Sequence, residues 1–226
     1  VNDAFEKLTG LKNVEGKRIT EIMPSISKEN PDFLELYGRV ATTGQPEKRE
    51  LLLKPLDLWL YLSVYSIEKG SFVSVFENIT ERKQVEKDYR SIFENVQEGV
   101  FRSTPDGKII LANEAMAKIF GYDSPAEIMA DITDVAAQLY VHPEERASVK
   151  KIIAEQNAIQ NHEVQFHRKD GGAFWGSATM KAIRNGKDQI LYYEGIIEDI
   201  TERKLSIERL RKTLGGAVQA IASLVE

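Results

Sequence analysis

The sequence repeats itself, and the repeat governs what this chain can fold into. Asn78-Ile79-Thr80-Glu81-Arg82-Lys83 returns as Asp199-Ile200-Thr201-Glu202-Arg203-Lys204. Each copy ends an apolar run, Ser71–Phe76 in the first and Ile190–Ile197 in the second, and opens a charged, helix-forming stretch. Upstream, Asn2-Asp3-Ala4-Phe5 and Leu8-Thr9-Gly10 match Asn113-Glu114-Ala115-Met116 and Ile119-Phe120-Gly121. Internal similarity of this kind means two copies of one structural unit, and 226 residues suit two domains of about 100 residues each. The upstream matches lie 111 positions apart and the downstream ones 121, so the second unit carries about ten extra residues, expected in its middle loops. The first unit has nothing corresponding to residues 97–111.

Turn and period signals give the order of elements in the second unit. Gly99–Thr104 and Gly107–Ala112 flank Pro105-Asp106-Gly107 and read as a hairpin. Ala115–Phe120 is a short helix stopped by Gly121, Ser124-Pro125 opens another, and Pro143–Gln156 is a third with Glu144 and Glu145 at its positive end. The runs Ile159–Arg168 and Ala173–Arg184 are joined by Lys169-Asp170-Gly171-Gly172, and Gln189–Asp199 follows Asn185-Gly186. Two strands, short helices and then three strands exclude a regular βαβ sheet and predict an antiparallel α+β domain. The first unit repeats the later part, with helices Asp3–Leu8 and Asp32–Thr43 and strands around Lys48–Leu53, Leu58–Tyr65 and Ser71–Asn78.

These residues carry a family resemblance. Gly99-Val100-Phe101, Asp106–Ala115, Phe120-Gly121-Tyr122, His142-Pro143-Glu144-Glu145-Arg146, Arg168–Gly172 and Asp199–Lys204 resemble, in order and spacing, a PAS domain. The first unit is similar to a PAS domain without its opening hairpin, with Asn78 for the usual Asp and Leu53-Lys54-Pro55-Leu56 at the Asp-Gly turn. The resemblance implies five-stranded antiparallel sheets, the first incomplete, used for sensing and dimerisation. It divides the chain into a truncated PAS domain (1–80), a linker helix (81–96), a complete PAS domain (97–204) and a signalling helix (205–226). We expect the open sheet edges of residues 1–80 to be covered by another chain or by the linker helix.

The repeated hexapeptide has a physical logic of its own. Asp199 and Glu202 have capping-box spacing, so the Asp199 carboxylate is expected to accept from the first helical turn while Glu202 reaches back. This would fasten the last strand to the departing helix. Asn78, Thr80 and Thr201 complete the set expected to relay signals. After Arg82, Val85, Tyr89, Ile92 and Val96 recur at 4-3-4 spacing; after Arg203, Ile207, Leu210, Leu214, Ala217, Ile221 and Leu224 recur at 3-4-3-4-3. That is a coiled-coil seam and predicts a parallel homodimer, with Gly215-Gly216 as a weak point in the helix. An amphipathic helix lying on its own domain is the alternative. Residues 210–226 also resemble the segment entering HD-GYP phosphodiesterase domains, which hydrolyse cyclic di-GMP; the metal ligands of that family would lie beyond Glu226.

Composition removes several chemistries. Cysteine is absent, which excludes disulfides, thiolate catalysis and a flavin photoadduct, and fits a reducing, cytoplasmic location. No apolar run reaches the roughly 18–20 residues of a membrane span, and Val1–Phe5 is no signal peptide; the sequence lacks an initiator Met and opens in helical-looking residues, so we read the chain as part of a larger protein. The net charge of −5 without a basic cluster argues against nucleic acid. His162 and His167, five apart on a strand, face opposite ways and cannot share a metal. Haem is disfavoured, with His142 and His162 the only candidate axial ligands. No Ser–His–Asp pattern or phosphate-binding loop is present, and no His follows position 167 to serve as a kinase phosphoacceptor.

By analogy with the family, the inward face of the second sheet carries Val164, Phe166, Gly176, Ala178, Met180, Tyr193, Gly195 and Ile197, closed by Met116, Ile119 and Tyr140. Small residues beneath aromatics leave room for a small ligand; a filled core is the alternative. The reading is a non-catalytic sensory and relay segment of a bacterial signalling protein. Its output domain would be of HD-GYP type, with histidine kinase or diguanylate cyclase also open. Its rivals are a ligand-free dimerisation spacer and an enzyme with an unrecognised site.

Overall fold

The structure, a computed structural model, describes residues 3–225, with side chains described for residues 5–214. The chain divides between Tyr89 and Arg90 into two compact units. The first begins with α1 (Asp3–Thr9), α2 (Ile19–Ile22), α3 (Ile26–Glu29) and α4 (Pro31–Thr43), followed by β1 (Glu47–Leu53), β2 (Leu58–Tyr65) and β3 (Val73–Asn78). α4 starts with Pro at its first turn and stops at Gly44, whose φ of 73° is the left-handed geometry a C-cap requires. The strands form an antiparallel sheet in the order β1-β2-β3. On β2, Leu60, Leu62 and Val64 alternate into the core, where they meet Ile26, Leu36 and Val40. Each such side chain contributes on the order of 1.5–3 kcal/mol of burial.

The helix α5 (Thr80–Asn95) leads into the second unit: β4 (Gly99–Ser103), β5 (Ile109–Ala112), α6 (Glu114–Phe120), α7 (Pro125–Asp131), α8 (Val135–Leu139) and α9 (Pro143–Gln156). Then come β6 (Ala158–His167), β7 (Ala173–Arg184), β8 (Ile190–Asp199) and α10 (Thr201–Val225). The sheet order is β5-β4-β8-β7-β6, antiparallel throughout. Helices and sheet enclose one core, centred on Phe120, whose ring meets Phe166 and Phe174 edge-on at centroid distances of 5.6 and 5.2 Å. Asn113 caps α6 by accepting from the Met116 N–H.

The three-stranded first sheet and the five-stranded second one match the expected architecture, with the opening hairpin absent from the first. Among the described residues no strand pairs with the outer edge of β3, and Val75 there is exposed. α2, α3 and α8 were not expected; at four to five residues they are too short to show a helical period. The Gly215-Gly216 pair does not end α10, whose backbone runs on to Val225.

Candidate functional site

Both units fasten the departing helix to the middle one of their last three strands in sequence, β2 or β7, by the same device. In the first, the Thr80 hydroxyl accepts from the Trp59 N–H at 2.9 Å, and the Ile79 N–H donates to the Trp59 carbonyl at 2.8 Å. In the second, the Thr201 hydroxyl accepts from the Trp175 N–H at 3.0 Å, and the Ile200 N–H donates to the Trp175 carbonyl at 2.9 Å. Both backbone groups of each Trp are thereby taken up by the strand–helix junction. The basic pair of the repeat adds charge to this joint. Lys83 and Arg82 grip Glu50 at 2.7 and 2.5 Å, and Lys204 and Arg203 grip Glu163 at 2.5 and 3.3 Å. Each Lys ammonium also lies over the Trp ring, 5.3 Å from the centroid at Trp59 and 4.2 Å at Trp175. Hydrogen bonds from Lys83 and Arg82 hold the Glu50 carboxyl below its ordinary pKa, and Lys204 does the same for Glu163.

These equivalences relocate the ten extra residues of the second unit. Pro31 and Pro143 open the long helices 112 positions apart; Glu50 and Glu163 are 113 apart, Trp59 and Trp175 116, and Asn78 and Asp199 121. Most of the insertion therefore lies in the last three strands and their turns, which are longer than β1–β3, and not in the middle loops.

The expected capping box does not form. α10 begins at Thr201, so Asp199 lies two residues before it; its Oδ1 accepts from the Thr201 N–H at 2.9 Å in an Asx turn. Asn78 does the same for the Thr80 N–H at 2.9 Å. Glu202 is exposed and makes no return bond among the described residues. Where the box would have used Glu202, Asp199 turns its second oxygen to Arg168, at 2.5 Å. Partial burial pushes the Asp199 carboxyl up, but the hydroxyl and N–H of Thr201 and the Arg168 guanidinium outweigh it and leave the pKa below the ordinary value. A depressed folded pKa contributes stability above the unfolded value of about 4 that is lost as pH falls through the folded one. Asp199→Ala should cost about 0.5–2 kcal/mol. Hydrogen exchange should quicken across Thr201–Ile207 at neutral pH, with the sheet still protected, and the difference from wild type should vanish in acid.

Of the sequence-predicted pocket residues, Met116, Tyr140, Phe166, Ala178, Met180 and Ile197 line a cavity of about 20 Å³ inside the second unit. Val164 and Tyr193 are buried in the surrounding core, and Ile119 packs partly buried against it. Gly176 and Gly195 do not open space. A Cβ at Gly176 would lie 2.6 Å from the Phe166 ring, and one at Gly195 2.2 Å from the Thr179 carbonyl oxygen, so both admit neighbours already there. Ser103 and Arg146 also line the cavity and were not anticipated. The first unit holds a wider apolar groove of about 700 Å³ between its helices and β3, lined among others by Phe33, Tyr37, Leu60 and Phe76.

On α10, Ile207, Leu210 and Leu214 are 46%, 59% and 57% exposed, an apolar stripe facing solvent. The side chains of Ala217, Ile221 and Leu224 lie outside the described residues. On α5, Val85, Tyr89 and Ile92 are likewise exposed. His142 holds the N-cap position of α9 without a side-chain cap bond. Among the described residues no cluster of His, Asp or Glu is arranged to hold a metal, and no helix is long and apolar enough to cross a membrane.

The sequence profile of the PAS domain family matches residues 1–81 and 97–202. The chain belongs to the PAS domain family. Both PAS segments contain the Thr–Trp junction, and the second also contains the buried cavity. Curated relatives include sporulation kinase C of Bacillus subtilis, 28% identical over 156 residues, spanning 69% of this chain and 36% of that protein. Sensor histidine kinase TmoS of Ectopseudomonas mendocina is 25% identical over 142 residues, spanning 61% of this chain and 14% of that protein. The chain thus corresponds to about a third or less of these relatives, as a PAS sensory segment homologous to parts of sensor histidine kinases. A crystal structure of the PAS domain of a Colwellia psychrerythraea protein overlaps 52% of this chain and 98% of its own, at 24% identity and a TM-score of 0.45.

Proposed function

We propose that this PAS pair senses a small ligand in its second unit and relays occupancy through α10 to an enzymatic output domain. The observation that supports this is the junction: the helix leaving each PAS unit is bonded to both backbone groups of the middle-strand Trp, so a distortion of the sheet must move the helix start. In this reading residues 1–80 and 97–204 are the two PAS modules, 81–96 the linker and 205–226 the signalling helix. Two copies pair through the exposed stripes of α10 and α5. The similarity of residues 210–226 to the segment entering HD-GYP domains favours a cyclic di-GMP phosphodiesterase as output. The two curated relatives named above, both kinases by name, favour a histidine kinase. A ligand-free spacer is the second reading, favoured by the small volume of the cavity.

Thr201→Val tests the relay. It keeps side-chain shape but removes the acceptor for the Trp175 N–H, a loss of about 1–1.5 kcal/mol. Hydrogen exchange across Thr201–Ile207 should accelerate about tenfold while β6 and β8 stay protected. If that helix exchanges as in wild type, the sheet and α10 are not mechanically joined.

A further inference from the structure

Among the described residues Arg146 is the only charged side chain in the buried class, 5% exposed. We propose that Arg146, with the hydroxyls of Ser103 and Tyr140, forms the recognition end of a site for a compact monocarboxylate within the second PAS unit. This deepens the sensor reading above and rests on it for its signalling consequence.

The argument starts from a missing counter-ion. Arg39, Arg82, Arg102, Arg168 and Arg203, all more exposed, each pair with a carboxylate. Arg146 forms no ion pair among the described residues. One nitrogen donates to Ser103 Oγ at 3.2 Å, the other approaches the Met180 thioether at 3.7 Å, and the guanidinium lies 5.0 Å from the Tyr193 ring centroid. The guanidinium thus meets two hydroxyls, those of Ser103 and Tyr140, a weak sulfur acceptor and a ring face, none carrying negative charge. The neighbouring Glu145 forms no ion pair with it: its buried Oε2 has no hydrogen-bond partner, and its charge acts on the Tyr140 phenol instead. A buried cation lacking an anion costs several kcal/mol, and an entering carboxylate removes that cost through charge-assisted, two-point hydrogen bonds.

The surroundings set the size and class of the ligand. Ser103 is fully buried and accepts from Arg146, which leaves its own O–H to donate into the cavity. Tyr140 stands beside the guanidinium; burial pushes its phenol up, and Arg146 partly counters this. The remaining walls, such as Phe101, Ile109 and Met116, are apolar. About 20 Å³ holds roughly one water, so a ligand enters by displacing the unbranched, adaptable side chains of Met116 and Met180. One guanidinium facing apolar walls suits a short monocarboxylate and rejects polyanions, whose further charges would be left unpaired.

The test is an NMR titration of the isotope-labelled chain with acetate and propionate at fixed pH and ionic strength, with acetamide as the neutral control. Saturable shifts should appear at Ser103, Tyr140 and Met180, and acetamide should give none. Arg146→Gln should weaken binding at least tenfold, Ser103→Ala several-fold, and Glu145→Gln should leave it equal or tighter. Non-saturating shifts, an equal response to acetamide, or undiminished binding in Ser103→Ala would overturn the site, whether or not Arg146→Gln folds. Saturable carboxylate binding without any change in Thr201–Ile207 exchange upholds the site and removes the relay. Absence of binding in a chain whose Thr201→Val variant still loosens α10 removes the site alone.

Discussion

Asn113→Ala should lower the stability of the second PAS unit by about 3 kcal/mol, a change of roughly 150-fold in its unfolding equilibrium. Asn113 is fully buried and uses its amide completely. Its Oδ1 accepts from the Val100 and Met116 N–H groups, each at 2.9 Å, and its Nδ2 donates to the carbonyls of Phe93 at 2.9 Å and Glu98 at 3.1 Å. One side chain therefore starts β4, caps α6 and holds the last turn of α5, whose final carbonyls have no partner within the helix. Alanine leaves four backbone groups without this partner, and the expected cost exceeds that of losing a cap alone. The chain has two Trp, one in each unit, so Trp175 fluorescence in a Trp59→Phe background follows the second unit by itself. Its denaturation midpoint should fall while the first unit, followed through Trp59 in a Trp175→Phe background, keeps its own. Asn113→Asp keeps both accepting bonds but sets a carboxylate against two carbonyls, and should also loosen the end of α5. A midpoint shift worth less than about 1 kcal/mol would show that Asn113 is not the hub.

The same residue joins the two helices that bracket the second unit. Asn113 holds α5 through Phe93 and β4 through Val100; Val100 pairs with Ile196 on β8, and β8 ends at Asp199, two residues before α10 begins. This is a contiguous route for strain, but a ligand shifts an equilibrium only by its differential affinity for two states. The cavity is where such a difference can arise, because it shares residues with both sides of the route: Phe101 and Ser103 of β4, and Ile197 of β8.

Much of this was legible in the sequence, for physical reasons that can be named. The run Leu58–Tyr65 was readable as a strand, and the alternation Leu60, Leu62, Val64 within it is the two-residue period of its buried face. Lys169–Gly172 was readable as a turn because Gly171, with φ of 84°, supplies a backbone angle other residues resist. The Thr–Trp bridges were not legible, since each joins a hydroxyl to a backbone N–H 21 or 26 residues away and leaves no local pattern. Yet a Trp near the start of the middle strand in both copies was a readable signal. Arg146 had no role in the sequence reading beyond the His142–Arg146 match, although Arg146, Val149 and Ile153 share the buried i, i+3, i+7 stripe of α9. Asp199 and Glu202 had the right spacing for a capping box, but the spacing is silent on where the helix begins, and the Thr201 hydroxyl, bonded to Trp175, fixes that start.

Leu210→Asp combined with Leu214→Asp should convert a dimeric chain to monomer without unfolding either PAS unit. Ile207, Leu210 and Leu214 follow one another at three and four residues along α10, and all three face solvent in the single chain. An apolar stripe of this kind calls for a partner, and the same helix from a second copy is the simplest one, in parallel, as the proposed relay into paired outputs requires. The flanks suit such pairing: Glu208 and Lys212 form an i,i+4 ion pair at 2.8 Å beside the stripe. Affinity should be modest, because three heptads bury little and the Gly215-Gly216 pair lowers helix propensity by about 1–2 kcal/mol in total. Two buried aspartates would face two more across the seam, a like-charge cost that a modest interface cannot absorb. Both positions are exposed in the monomer, so the stability of the PAS units should change by less than about 0.5 kcal/mol. Sedimentation velocity across a concentration series decides the point. A wild-type chain that stays monomeric at high micromolar concentration, or a double variant that dimerises as well as wild type, places the seam elsewhere and leaves α10 no partner against which to shift.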